Sequence, residues 1–184
     1  MSGQMRLLLD KHALSIAEGN IVRRYFEGVS ALARGLTLVE EEQRAILLVH
    51  LARRKKRQLF ISVEVFNLLQ VHGRRVSPAE NLMFFKRVEV LYPGRYFKRW
   101  ARRLRETGFT REDAKVLALG TFGTDAAGAV LGVQVVVTYD RPMMRKWALE
   151  RSELQERLAR MTEAMDDPFG RARLPDILRP EEIA

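Results

Sequence analysis

Two apolar runs in this chain do not alternate with polar residues. Leu7-Leu-Leu9 is continuous and closes on Asp10, and Val135-Val-Val137 is continuous and leads through Thr138-Tyr139 to Asp140. A strand with one wet face alternates; an unbroken run is expected of a parallel strand covered by helices on both faces. Sheets of that kind open their ligand crevice beyond the carboxyl ends of the strands, which is where a terminal Asp projects. Glu64 follows a third such run, Leu59-Phe-Ile61, and Asp113 opens the helical segment Asp113 to Leu119. Carboxylates gathered at one crevice repel one another and raise each other's pKa, so the pattern points to a compensating cation. The simplest is a divalent metal held by Asp10, Glu64, Asp113 and Asp140.

At 184 residues the chain suits one well-buried domain rather than two. We read a single domain over 1–165 and an extended C-terminal arm over 166–184, where three prolines fall. An apolar fraction of 47% with 30% charged residues is that of a folded globular chain. No apolar stretch approaches the roughly 20 residues of a membrane span, and the first residues lack the pattern of a secretory signal, so the expected location is cytoplasmic. With no Cys, thiolate metal sites are excluded, and His12, His50 and His72 are too scattered for a zinc site. Oxygen ligands must carry any metal. The net charge of +9 favours a polyanionic partner, because neutralising phosphates releases condensed counterions. The basic residues are mostly Arg, which also suits surface ion-pair networks.

Helices and strands are expected to alternate. After the first strand, Ala13 to Leu32 reads as a helix stopped by Gly35. Thr37-x-x-Glu40 has the pattern of a capping box, opening a helix that ends in Arg53-Arg-Lys-Lys-Arg57. Gln58 to Ile61 is a strand, and Ser62 caps a helix running to about Val71. Ser77-Pro78-Ala79-Glu80 starts another helix, because Pro fits the first helical position. Val88 to Leu91 is a short strand before the Pro93-Gly94 turn. The helix Arg95 to Glu106 is two-faced: Phe97, Trp100, Ala101 and Leu104 share one side, and Arg95, Lys98, Arg99, Arg102 and Arg105 the other. Thr110 begins the next helix, Gly120 to Gly132 reads as a loop, a strand runs to Thr138, and a last helix starts at Pro142 or Met143 and fades near Asp166. This alternation predicts an α/β fold with a mainly parallel sheet.

The order of Leu7-Leu-Leu-Asp10, Phe109-Thr-Arg-Glu-Asp113-Ala-Lys-Val-Leu-Ala118 and Val135-Val-Val-Thr138-Tyr-Asp140 resembles the PIN domain, a family of metal-dependent nucleases. The motifs bracket most of the chain. The resemblance implies a three-layer α/β/α sandwich around a parallel sheet, an acidic site holding Mg²⁺ or Mn²⁺, and phosphodiester hydrolysis, usually of RNA. Asp10, Asp113 and Asp140 match the family's acidic positions, and Thr138 matches its hydroxyl residue before the last acid. Leu68 stands where the family's fourth acid usually falls; Glu64, one helical turn earlier, is the substitute, and Asp125 is a rival in a stretch longer than the family's.

Each feature also has a plainer role. Asp113 fits a capping box with Thr110, Asp10 and Asp140 fit polar strand ends, and Glu64 suits a helix dipole. The basic face carrying Arg95, Lys98, Arg99 and Arg102 would suit a phosphate backbone, or be simply solvated. Taken together, the residues predict a metal-dependent endoribonuclease, with DNA as the other possible substrate. The alternatives are a catalytically degenerate PIN-like RNA-binding module in an assembly, and the ribonuclease toxin of a toxin-antitoxin pair. A homodimer and a small protein inhibitor are the expected protein partners.

Overall fold

A computed structural model describes residues 4–10, 21–52, 54–72 and 78–183. The first apolar run forms strand β1 (Met5–Leu9). Helices α1 (Ile21–Ala33) and α2 (Glu40–Leu51) precede β2 (Arg57–Ser62), and α3 (Val63–His72) and α4 (Pro78–Phe85) precede β3 (Val88–Pro93). Helices α5 (Phe97–Glu106) and α6 (Arg111–Phe122) follow, then a two-residue strand β4 (Gly123–Thr124), β5 (Val135–Val137) and the long helix α7 (Arg141–Thr162). The chain ends with β6 (Asp176–Leu178) and a short 3₁₀ turn, Pro180–Ile183. The six strands form one sheet in the order β4-β3-β2-β1-β5-β6, parallel throughout except for the β3/β4 pair.

The register explains why the central runs do not alternate. Leu7 pairs with both Leu59 and Val135, and Leu8 with both Phe60 and Val136. Leu7, Leu9, Leu59, Ile61, Val135 and Val137 pack on one face against Ile21, Tyr25, Ala45 and Val49 of α1 and α2. Leu8, Phe60, Leu91 and Val136 pack on the other against Trp100, Leu104, Leu117 and Leu154 of α5, α6 and α7. Each residue of the runs 7–9, 59–61 and 135–137 is therefore buried whichever way it points, at roughly 1.5–3 kcal/mol for each large apolar side chain. The same register brings the carboxyl ends of β1 and β5 level, Leu9 opposite Val137, so that Asp10 and Thr138 emerge side by side.

Local signals set the starts of α3 and α6. Ser62 Oγ accepts from the Val65 amide at 3.2 Å, and Thr110 Oγ1 from the Asp113 amide at 3.1 Å. Helix α2 differs from expectation: it starts at Glu40, with Val39 as its N-terminal flank, rather than at Thr37. The Glu42 carboxylate accepts from the Val39 amide at 3.1 Å, and Val has no side-chain acceptor to return the bond. The segment Gly120 to Gly132 is also only partly loop. Helix α6 runs through Gly120 to Phe122 and β4 pairs with the end of β3. Gly94 permits this junction, since its amide donates to the Phe122 carbonyl and a Cβ there would overlap that oxygen. The 166–184 segment contributes β6 to the sheet edge, with the Thr138 amide donating to the Leu178 carbonyl at 3.0 Å. Among the described residues no helix is long and apolar enough to cross a membrane.

Candidate acidic site at the carboxyl ends of the strands

Asp10 continues β1 for one residue, its amide donating to the Val137 carbonyl at 3.0 Å. That bond delivers the Asp10 side chain to Thr138, whose hydroxyl donates to Asp10 Oδ2 at 2.8 Å. The same hydroxyl oxygen accepts from the Asp140 amide at 3.0 Å. Thr138 thus ties two acids from adjacent central strands into one unit, and both its side chain and Asp10 are sealed from solvent, at 0% and 1% exposure. Asp140 is half-buried and caps α7, with Oδ1 accepting from the Met143 amide at 2.9 Å. Pro142 stands in the first turn, where its missing amide proton costs nothing.

Asp113 lies in the first turn of α6 and is 7% exposed. Glu64 lies in the first turn of α3 and is exposed. Its Oε1 is 3.2 Å from Lys115 Nζ, which is also 3.4 Å from Glu112 Oε1. Lys115 and Glu112 escaped the sequence reading. The only local signal was their spacing of three on α6, which makes them helix-surface neighbours. Lys115 and Glu64 line a cavity of about 70 Å³ with Leu8, Leu9 and Ser62, between the strand ends and α6. Tyr139, between Thr138 and Asp140, donates to the Glu41 carbonyl at 3.4 Å. Burial and then the Glu181 carboxylate push its phenol well above the ordinary range, so it stays neutral and serves as no base.

Of the residues expected at the site, Asp10, Thr138 and Asp140 are joined directly. Asp113 is buried on α6, and Glu64 faces a lysine. The rival Asp125 closes its own loop, Oδ1 accepting from the amides of Ala129 at 2.7 Å and Val130 at 3.2 Å. His12 lies outside the described residues. On the basic face, the Arg95 guanidinium lies over the Tyr96 ring at 5.3 Å and Arg102 Nε is 3.8 Å from Glu106 Oε1, while Lys98 and Arg99 are exposed.

Among the described residues no group of three or more His, Asp or Glu side chains is gathered closely enough to hold a metal ion. The donor chemistry of Asp10, Asp113 and Asp140 nonetheless fits a hard divalent cation, whose preferred ligands are carboxylate oxygens. Asp10 and Asp113 are buried, and Asp10 Oδ2 accepts from the Thr138 hydroxyl. Glu64 is exposed, and its Oε1 accepts from Lys115 Nζ. No protein-family model, no curated protein and no solved structure matches this chain. The resemblance to PIN-domain nucleases rests on the motifs around Asp10, Asp113 and Asp140.

Proposed function

We propose that this chain is a metal-dependent nuclease of PIN-like, three-layer architecture that hydrolyses phosphodiester bonds in RNA, in the cytoplasm. The observation that carries this reading is the Asp10–Thr138–Asp140 unit at the carboxyl ends of two adjacent central strands, hydrogen-bonded through one hydroxyl. Asp10, Asp113 and Asp140 would hold Mg²⁺ or Mn²⁺. The chemistry such an ion supplies when bound is acidification of water and neutralisation of charge on phosphate oxygens. The chain's own residues do the positioning. Thr138 fixes the Asp10 carboxylate, Asp140 is oriented by the first turn of α7, and burial of Asp10 and Asp113 strengthens their interaction with any cation. Lys98 and Arg99, both exposed on α5, would hold the phosphate backbone in register.

A second reading has its own support. Lys115 already neutralises Glu64, the substitute for the fourth acid, as expected of a PIN-like module that binds RNA without cutting it. Purified protein, incubated with single-stranded and structured RNA and DNA in Mn²⁺, Mg²⁺ or EDTA, separates the two. Cleavage that needs a divalent ion and is lost in Asp10→Asn and Asp140→Asn supports the nuclease and shows which polymer it prefers. Salt-sensitive binding that persists in EDTA, with no cutting under either ion, establishes the binding module instead. Copurification of a small inhibitor would mark the toxin branch. A stable homodimer alone would count against it.

A further inference from the structure

A cleft lined by four arginines lies away from the acidic site. Helices α5 and α7 enclose a cleft of about 460 Å³, and Arg99, Arg103, Arg157 and Arg160 face it with a single carboxylate, Glu153. Arg99 and Arg103 are one helical turn apart on α5, and Arg157 and Arg160 are neighbours on α7, so each helix presents an adjacent pair of guanidiniums to the same space. Glu153 is engaged by Arg157, with Nη2 to Oε1 at 2.5 Å. Among the described residues Arg99, Arg103 and Arg160 make no ion pair, and Arg103 Nε is buried without a hydrogen-bond partner.

This arrangement needs an explanation. Cations in the last turn of a helix complement its dipole, and Arg103 and Arg160 both stand there. The dipole does not account for Arg103 Nε, because a buried guanidinium nitrogen without an acceptor is unfavourable unless something else supplies one. Nor does it account for guanidiniums from two helices converging on one cavity, where like charges raise each other's cost. A multiply charged anion removes both penalties.

We infer that the α5–α7 cleft is a binding site for tandem phosphates, held by forked hydrogen bonds from Arg99, Arg103, Arg157 and Arg160. The volume lies within the range of small-molecule pockets and exceeds what one phosphate would fill. Guanidinium forks match phosphate oxygens in geometry as well as charge. The site shares no lining residue with the cavity beside Glu64 and Lys115. Along α7, Arg157 lies about 25 Å from the cap at Asp140 by helical rise. The inference therefore stands whether or not the acidic site cleaves. The phosphates have two sources, a nucleic-acid strand or a free nucleoside polyphosphate.

The test is calorimetric titration in EDTA, so that no cleavage intervenes, with inorganic tripolyphosphate, ATP and a short single-stranded RNA as probes. Wild type is expected to bind tripolyphosphate at one site, and Arg103→Gln to weaken it about tenfold, the loss of one charge-assisted contact. Arg145→Gln, an exposed site elsewhere on α7, removes the same net charge and should change binding less than about twofold. Should Arg103→Gln fail to fold by circular dichroism, the double variant Arg99→Gln/Arg160→Gln, both exposed, carries the test. RNA that binds about tenfold more tightly than tripolyphosphate, with the gain lost in the same variants, identifies a strand as the source. Equal binding of ATP and tripolyphosphate with no gain for RNA identifies the free polyphosphate. Failure of wild type to bind tripolyphosphate, or an equal loss in Arg145→Gln, overturns the inference.

Discussion

Thr138→Val removes one oxygen from the centre of the acidic unit and leaves the shape nearly unchanged. Two hydrogen bonds go with it: the donation to Asp10 Oδ2 at 2.8 Å and the acceptance from the Asp140 amide at 3.0 Å. A hydrogen bond to a charged group is worth about 1.5–3 kcal/mol and a neutral one about 1 kcal/mol. The second will be partly replaced by water, because Asp140 is only half-buried. The first has no such relief, since Asp10 is 1% exposed. The expected loss is therefore about 2–4 kcal/mol, a large share of the roughly 5–15 kcal/mol that holds a domain together. In urea, with a slope of about 2 kcal/mol per molar, the unfolding midpoint should fall by about 1–2 M without a change of slope. Thr138→Ser keeps the hydroxyl and should lose less than half as much. Asp10→Asn combined with Thr138→Val should be markedly non-additive, because both changes act on the same bond. A Thr138→Val midpoint within about 0.25 M of wild type would show that the hydroxyl does not hold Asp10, and the positioning argument for the site would fall.

Asp140 has two separable roles. Asp140→Ala should cost about 1 kcal/mol as a lost helix cap, and Asp140→Ser should restore most of that stability while leaving divalent-dependent cleavage absent, as read by urea melts beside the RNA assay. Gly94→Ala should destabilise by about 1–3 kcal/mol or more in the same melts, because its Cβ would overlap the backbone carbonyl of Phe122. His50, stacked on Tyr25 at 6.1 Å, titrates below its ordinary value of 6.5, chiefly through burial and then through Arg87. The unfolded chain then binds the proton more readily, so this contribution to stability is present above about pH 6.5 and is lost as the pH falls from there toward the folded value. The urea midpoint should drop between about pH 7.5 and 5.5, and His50→Gln should remove that part of the drop; an unchanged pH profile in the variant would assign the drop to other groups.

The sheet was legible because its two central runs have one physical explanation. Leu7 to Leu9 and Val135 to Val137 are apolar on both faces, and only helices on both sides of the strand bury them both ways. Caps that rest on a single side chain were legible for a similar reason: Ser62 and Thr110 each need only a hydroxyl near the following turn. Helix α2 shows where such local reasoning stops. Glu40, Glu41 and Glu42 are consecutive, so the local pattern offers an acceptor to more than one starting residue. The packing of Ala45, Leu48 and Val49 against α1 decides between them. Strand β6 was hidden for a different reason. Asp176–Leu178 is too short and too mixed to carry a strand signal, and it becomes one only by pairing with β5.

The candidate sites divide along the same line. Asp10 and Asp140 sit at strand ends that hydropathy alone locates, and Asp113 at a helix start that Thr110 announces. Lys115 was invisible because its partner Glu64 comes from α3, across the crevice, and no periodicity on α6 reports what faces it. The arginine cleft was half visible. Helical spacing separates a basic side of α5 from the side that buries Trp100 and Leu104, but Arg103 belongs to neither list and acquires its meaning only from Arg157 and Arg160 on α7. A net charge of +9 is silent on this distribution. Folding sorts it, burying Asp10 at the end of β1 and Asp113 in the first turn of α6, and gathering guanidiniums where two helices meet. The buried Asp10 has a hydrogen-bond partner in Thr138, whereas the guanidiniums converge on an open cleft.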